Sequence, residues 1–210
     1  MKPALLLIAM LALIATAASA PPQTQQTDPS SWPAKDTHQG FTVAADAYSN
    51  AERAKKTFGK ADPYKAGILA VDVFFKNDLK DPVHVDLSTI RLDVDGPNGQ
   101  HFRLPALTAP QAAEQIAHPK PPSMSRPRLP IPLPSGGSKE RGIEKTLMPF
   151  SLQSDVVPPN GTLRGILFFD MGGHFELVPH SAVYIPDVKS VASENAMIYF
   201  DVPLGPKHQP

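Results

Sequence analysis

The chain has 210 residues, with 20 Lys and Arg set against 20 Asp and Glu. That even balance argues against a nucleic-acid partner, which requires a basic face. Cysteine is absent, so neither disulfides nor a lipid-modified cysteine contribute, and an apolar core must hold the fold.

Residues 1–20 have the three parts of a secretory signal. Lys2 supplies the charge, Leu5–Ile14 the apolar centre, and Ala15-Thr16-Ala17-Ala18-Ser19-Ala20 the small-residue end. A retained anchor needs roughly 20 apolar residues and a basic stop, and none appears before Lys35. Cutting after Ala20 would break the tertiary amide before Pro21. The box Ala15-Thr16-Ala17, with Ala18 next, is therefore the preferred cleavage site. Removal leaves no transmembrane segment and places the protein in the periplasm or outside the cell.

Residues 21–40 are rich in Pro, Gln, Thr and Ser, and read as a flexible leader to a domain spanning 41–204. Phe41–Ala45 begins it as a short strand. Ser49 and Glu52 have the spacing of a capping box, predicting a two-turn helix that ends at Gly59. Leu69, Val71, Val73 and Phe75 then alternate along a strand from Gly67 to Lys76. Asn77–Pro82 supplies a turn before the extended run Val83–Asp86. Ile90, Leu92 and Val94 alternate with charged residues, and Asp95-Gly96-Pro97-Asn98-Gly99 folds that strand onto Gln100–Leu104 as a hairpin.

The stretch 105–157 reads as a helical and Pro-rich insertion. Thr108 and Gln111 frame a second helix start, and Glu140–Leu152 holds another short helix. Between them, seven prolines from Pro119 to Pro134 exclude helix and interior strand. Pro158-Pro159-Asn160-Gly161 turns the chain into a central strand, Thr162–Asp170. Ala182–Ile185, stopped by Pro186, suits a sheet edge. Ala196–Val202 forms the last strand, with Ile198, Phe200 and Val202 on one face and Met197, Tyr199 and Asp201 on the other. Residues 205–210 are a polar tail.

These signals predict an all-β domain: an immunoglobulin-like antiparallel β-sandwich of seven to eight strands with short helices and a Pro-rich insertion. A partly closed barrel is the alternative architecture. The segment Asn77-Asp78-Leu79-Lys80-Asp81-Pro82-Val83, then Ile90-Arg91-Leu92 before an Asp-Gly turn, then Pro159–Phe169 with its Arg164-Gly165 step, resembles secreted bacterial immunoglobulin-like domains of unknown function. Those are the immunoprotective extracellular or lipoprotein-type domains. The resemblance spans residues 65–104 and 157–203, and its motifs are turns and core positions. It implies the sandwich and assigns no reaction. The chain departs from such relatives in lacking a lipidation cysteine and in its long Pro-rich insert.

Signatures of covalent catalysis and phosphate binding are missing, with no cysteine, no G-x-S-x-G and no phosphate-binding glycine loop. Asp170, His174, Glu176 and His180 are metal-ligand types within eleven residues, but their spacing fits no compact metal motif. They are the weak candidates for a metal-dependent hydrolase, the alternative function. His84 and Asp86 share one strand face, where an ion pair or surface contact is expected. Arg53, Lys55, Lys56 and Lys60 make a basic cluster on the first helix. The segment Arg126-Pro127-Arg128-Leu129-Pro130-Ile131-Pro132-Leu133-Pro134 offers apolar and basic side chains on a stiff backbone, so it is either a spacer or a binding element for another envelope or secreted protein. The expectation is an exported, non-enzymatic binding, assembly or envelope-structural domain without a cofactor.

Overall fold

The computed structural model describes residues 29–119, 137–192 and 199–205. In chain order the strands are β1 (Ala34–His38), β2 (Phe41–Ala47), β3 (Ile68–Asn77), β4 (Val83–Val85), β5 (Arg91–Asp95), β6 (His101–Leu107), β7 (Val156–Val157), β8 (Thr162–Asp170), β9 (Ser181–Ile185), β10 (Val188–Ser190) and β11 (Phe200–Pro203). Three helices join them: α1 (Ala51–Phe58), α2 (Ala109–Ala117) and α3 (Ser138–Leu147). The protein is mostly β. An eight-stranded antiparallel sheet runs β1-β2-β3-β8-β6-β5-β9-β11, and a small sheet runs β10-β4-β7.

The large sheet curls until it is nearly barrel-shaped. Its two end strands approach each other: Asp36 Oδ2 accepts from the Asp201 backbone amide at 3.1 Å, and the His38 ring lies 5.2 Å from that of Phe200. The bend falls at β6, which pairs with β5 from His101 to Pro105 but with β8 only through Ala106 and Leu107. Two half-sheets result, β1-β2-β3-β8 and β6-β5-β9-β11. Their facing side chains, among them Val71, Val73, Phe75 and Phe169 against Leu92, Val94, Val183 and Phe200, form one core. Val83, Val85, Val157 and Val188 of the small sheet join it. Full burial of a side chain such as Phe75 contributes roughly 1.5–3 kcal/mol.

The first half-sheet is buried on its second face too. Ile68, Ala70, Ile166 and Phe168 point outward from the main core into another, built with Ala54 and Phe58 of α1, Ala112 of α2 and Leu147 of α3. This is why β3 is buried along nearly its whole length instead of alternating. The helices are set by their ends. In α2, Thr108 Oγ1 accepts from the Gln111 amide at 3.4 Å while Gln111 Oε1 accepts from the Thr108 amide at 2.9 Å, as the spacing predicts. In α1 the cap is Asn50 instead of the expected Ser49: Asn50 Oδ1 accepts from the Glu52 and Arg53 amides at 2.8 and 3.3 Å. Asn and Ser are equally good caps, so spacing alone misplaced the start by one residue. Gly59 ends that helix at φ 58°.

Two further expectations are corrected. The leader 21–40 is not flexible throughout, because residues 34–38 form β1 across from β2, with Trp32 packed on Phe74 and Ala44. A polar composition hides one aromatic anchor and a ladder of backbone hydrogen bonds. β9 is not an edge strand: it lies between β5 and β11, and Pro186 falls just after its pairing ends. Within the stretch 105–157, read as a helical and Pro-rich insertion, Leu107, Ala112 and Leu147 are buried in the second core. The hairpin β5–β6, the central position of β8 and the burial of Phe200 and Val202 agree with the sequence reading. The signal segment, with its cleavage residues Ala15, Ala17, Ala18 and Ala20, lies outside the described residues. So do residues 21–28, the tail from 206, and Arg126, Pro127, Arg128, Leu129, Pro130 and Pro132.

Candidate binding surface

The loop candidates do not converge. Asp170, at the end of β8, accepts from the Gly172 amide at 3.1 Å. His174 Nδ1 lies 3.0 Å from Glu176 Oε1, while exposed His180 ends the 3-10 stretch Phe175–His180. The Glu176 carboxyl is held below its ordinary value, first by its own backbone amide and then by His174. Among the described residues, no three His, Asp or Glu side chains come together as a metal ion needs.

His84 and Asp86 also part company. His84 Nε2 lies 3.3 Å from Asp155 Oδ2, and Asp86 accepts from the Ser88 hydroxyl at 2.6 Å and the Ser88 amide at 2.9 Å. Those two bonds hold the Asp86 carboxyl below its usual range. The four groups line a shallow depression with Gln153 and Ser154. The Gln153 amide nitrogen donates to the Met148 and Ser151 carbonyls, and the Ser154 hydroxyl to the Val156 carbonyl. Each polar side chain here serves a turn or a single partner. On α1, Arg53 turns inward to Asp46 and lies 4.2 Å from the Tyr48 ring centroid, leaving Lys55, Lys56 and Lys60 exposed.

A different picture holds on the outer face of the second half-sheet. Strand alternation sends Arg91, Asp93 and Asp95 of β5, Tyr184 of β9 and Asp201 of β11 away from the core, with Tyr199 just before β11. The register sets Asp201 opposite Tyr184, and Tyr184 opposite Arg91. The Tyr184 and Tyr199 rings stack at 5.2 Å, and the Arg91 guanidinium sits 4.1 Å from the Tyr184 centroid. Arg91 Nε donates to Asp93 Oδ1 at 2.9 Å, which holds the cation on the ring. The result is a row, Arg91–Tyr184–Tyr199, ending in a ring that is 52% exposed.

Carboxylates frame this row. Asp95 pairs with His101 at 2.6 Å, and Asp36 approaches from β1 across the seam. Burial raises the Asp201 carboxyl above its ordinary value, and Asp93, Asp36 and Asp95 push it the same way. The folded state therefore binds a proton at a higher pH than the unfolded chain, so stability falls as pH rises through the folded value. Replacing Asp201 with asparagine is expected to remove that loss. Melting temperatures of the two proteins should agree in acid and separate above the ordinary carboxylate range, with Asp201→Asn the more stable.

No family model matches the chain. No curated protein matches it either. Among solved structures it is similar to a functionally unknown protein from Listeria monocytogenes EGD-e, at 12% identity and a TM-score of 0.39, covering 82% of each chain. An overlap that low carries no argument about function. No helix among the described residues is long and apolar enough to cross a membrane.

Sequence reasoning missed this surface. The signal is present as two tyrosines at outward positions of neighbouring strands, but no local pattern shows that β9 lies between β5 and β11, where Tyr184 meets both Arg91 and Tyr199. Which strand lies beside which is decided by pairing between distant segments, and outward-facing aromatics gain meaning only after that pairing is known.

Proposed function

We propose that this chain is an exported, non-enzymatic binding or assembly domain of the cell envelope, built on an immunoglobulin-like sandwich. The two half-sheets facing each other across one core support the sandwich reading. The signal-like N-terminus supports export. The observation that carries the binding reading is the Arg91–Tyr184–Tyr199 row, an exposed aromatic and guanidinium surface of the composition that dominates protein interfaces. The candidate acid–base groups Asp170, His174, Glu176, His84, Asp86 and Asp155 are engaged in local turns and one-to-one pairs, which favours recognition over acid–base chemistry.

Two measurements test the proposal together. Protein recovered outside the cytoplasm should begin at Ala18, and recovery with Met1 intact would defeat the export reading. Envelope material crosslinked through a photoreactive group placed at Asp201 should contain one dominant partner, which Tyr199→Ala loses while its melting temperature is unchanged. Equal crosslinking by Tyr199→Ala would defeat the assignment of the surface.

A further inference from the structure

The occupant of the tyrosine surface can be argued from charge and chain length. The described ends of the Pro-rich excursion are tied together at the helical layer: His118 Nε2 lies 2.7 Å from Glu140 Oε1, and Lys139 Nζ donates to the Ala117 carbonyl at 2.9 Å. Residues 120–136 therefore leave and return at one place. Within them are Lys120, Arg126 and Arg128, seven prolines counting neighbouring Pro119, and no acidic residue. The tyrosine surface presents Asp93, Asp95, Asp201 and, at its margin, Asp36, against Arg91 and Arg103. The two surfaces are complementary in sign. The composition suits the rings as well, because proline-rich chain docks on exposed aromatic side chains with little loss of backbone entropy.

Reach decides which copy supplies the segment. A seventeen-residue excursion that returns to its origin extends by half its length, roughly 26 Å at about 3.1 Å per residue. The helical layer covers the first half-sheet, and the tyrosines lie on the far side of the second. Crossing two layers of about 10 Å each, then two or three strands at about 4.8 Å, takes roughly 30 Å or more along the surface. At that rise the segment spans less than the path to its own tyrosines, which favours a second copy as its source.

Resting on the binding reading above, we propose that the Tyr184–Tyr199 surface of one copy binds the Arg126–Pro134 segment of a second copy, so that the domain associates head to tail. The described ends of the segment belong to the helical layer and the tyrosines to the outer face of the second half-sheet, so the contact is heterologous and able to propagate. An arginine of the segment continues the row on the exposed ring of Tyr199 and relieves the crowding of carboxylates around Asp201. The contact also makes association weaken with salt.

Sedimentation of the full mature protein over a range of concentrations tests this. Mass should rise with concentration. Tyr199→Ala and the double change Arg126→Ala with Arg128→Ala should each weaken association by about tenfold or more, with unchanged melting temperatures. A synthetic peptide of residues 124–135 added in excess should dissociate the assemblies and shift the backbone amide resonance of Asp201. A protein that stays monomeric while the peptide leaves Asp201 unshifted overturns the inference, as does association indifferent to Tyr199→Ala. If the intact protein stays monomeric yet crosslinks a foreign partner through Tyr199, the self-association falls and the binding reading stands.

Discussion

Replacing Asp72 with alanine is expected to lower the unfolding free energy by about 3 kcal/mol. Asp72 is a buried carboxylate on the outward face of β3, between the second core and Trp32. Arg164 grips it from β8 through two bonds, Nε to Oδ1 at 3.0 Å and Nη2 to Oδ2 at 2.6 Å, and stacks 5.2 Å from the Trp32 ring centroid. Directly opposite on β2 lies Asp46, itself held by Arg53. Two aspartates face each other across a strand pair, and each is tolerated because a guanidinium covers it. Removing Asp72 leaves Arg164 over an apolar surface without its carboxylate. The cost falls at the low end for broken buried pairs, because 37% of the Arg164 side chain remains in solvent.

Chemical denaturation of three proteins separates the pair from its surroundings. Asp72→Ala should lose about 3 kcal/mol, whereas Asp72→Leu combined with Arg164→Met should recover most of it, since a packed apolar pair often matches a buried ionic one. Asp46→Ala should cost less, about 1 kcal/mol, because both members of that pair are partly exposed, whereas Asp72 is buried. Equal losses for Asp46 and Asp72 would show that burial does not set the scale here.

The second large effect is expected at Asn77, which is fully buried at the end of β3. Its amide nitrogen donates to the carbonyls of Asp81, Pro158 and Val157 at 2.8, 3.1 and 3.3 Å, and its Oδ1 accepts from the Leu79 amide at 2.9 Å. One side chain thus ties the turn after β3 to the turn before β8, eighty residues away. Asn77→Ala should cost about 2–3 kcal/mol, because buried carbonyls and an amide lose their partners. Asn77→Asp should cost more at neutral pH, since a carboxylate cannot donate and would face three carbonyl oxygens in a dry site. Protonation restores a donor, so the introduced acid has a raised folded-state pKa. Its stability is greatest in acid and falls as pH rises through that raised value. Denaturation of Asn77→Asp across the acidic range checks the sign, and a variant equally stable in acid and at neutral pH would contradict it.

Asn77 also marks how far the sequence could be read. The run Asn77–Pro82 announced a turn, and the turn is there, because Asn, Asp and Pro bend a chain through local bonds that composition encodes. That the same Asn77 reaches Val157 and Pro158 depends on β8 pairing with β3, which no local pattern records. The candidates Asp170, His174, Glu176 and His180 show the same limit from the other side. Closeness in sequence suggested a shared site, but backbone amides and one His–Glu pair take up the carboxylates first.

What the sequence by itself determined is what short-range physics controls. The alternation in β5, the Asn98-Gly99 turn with both residues at positive φ, the Thr108–Gln111 cap and the mostly β class all follow from residues within a few positions of one another. Only the tertiary structure decided the rest. It placed β1 and β9 in the sheet, closed β1 towards β11, put helices over the outward face of β3, and aligned Arg91, Tyr184 and Tyr199 from separate segments. Each of those depends on which distant strands pair, and pairing is settled by the burial of whole faces. The surface proposed to bind exists only once that pairing has brought its three strands together.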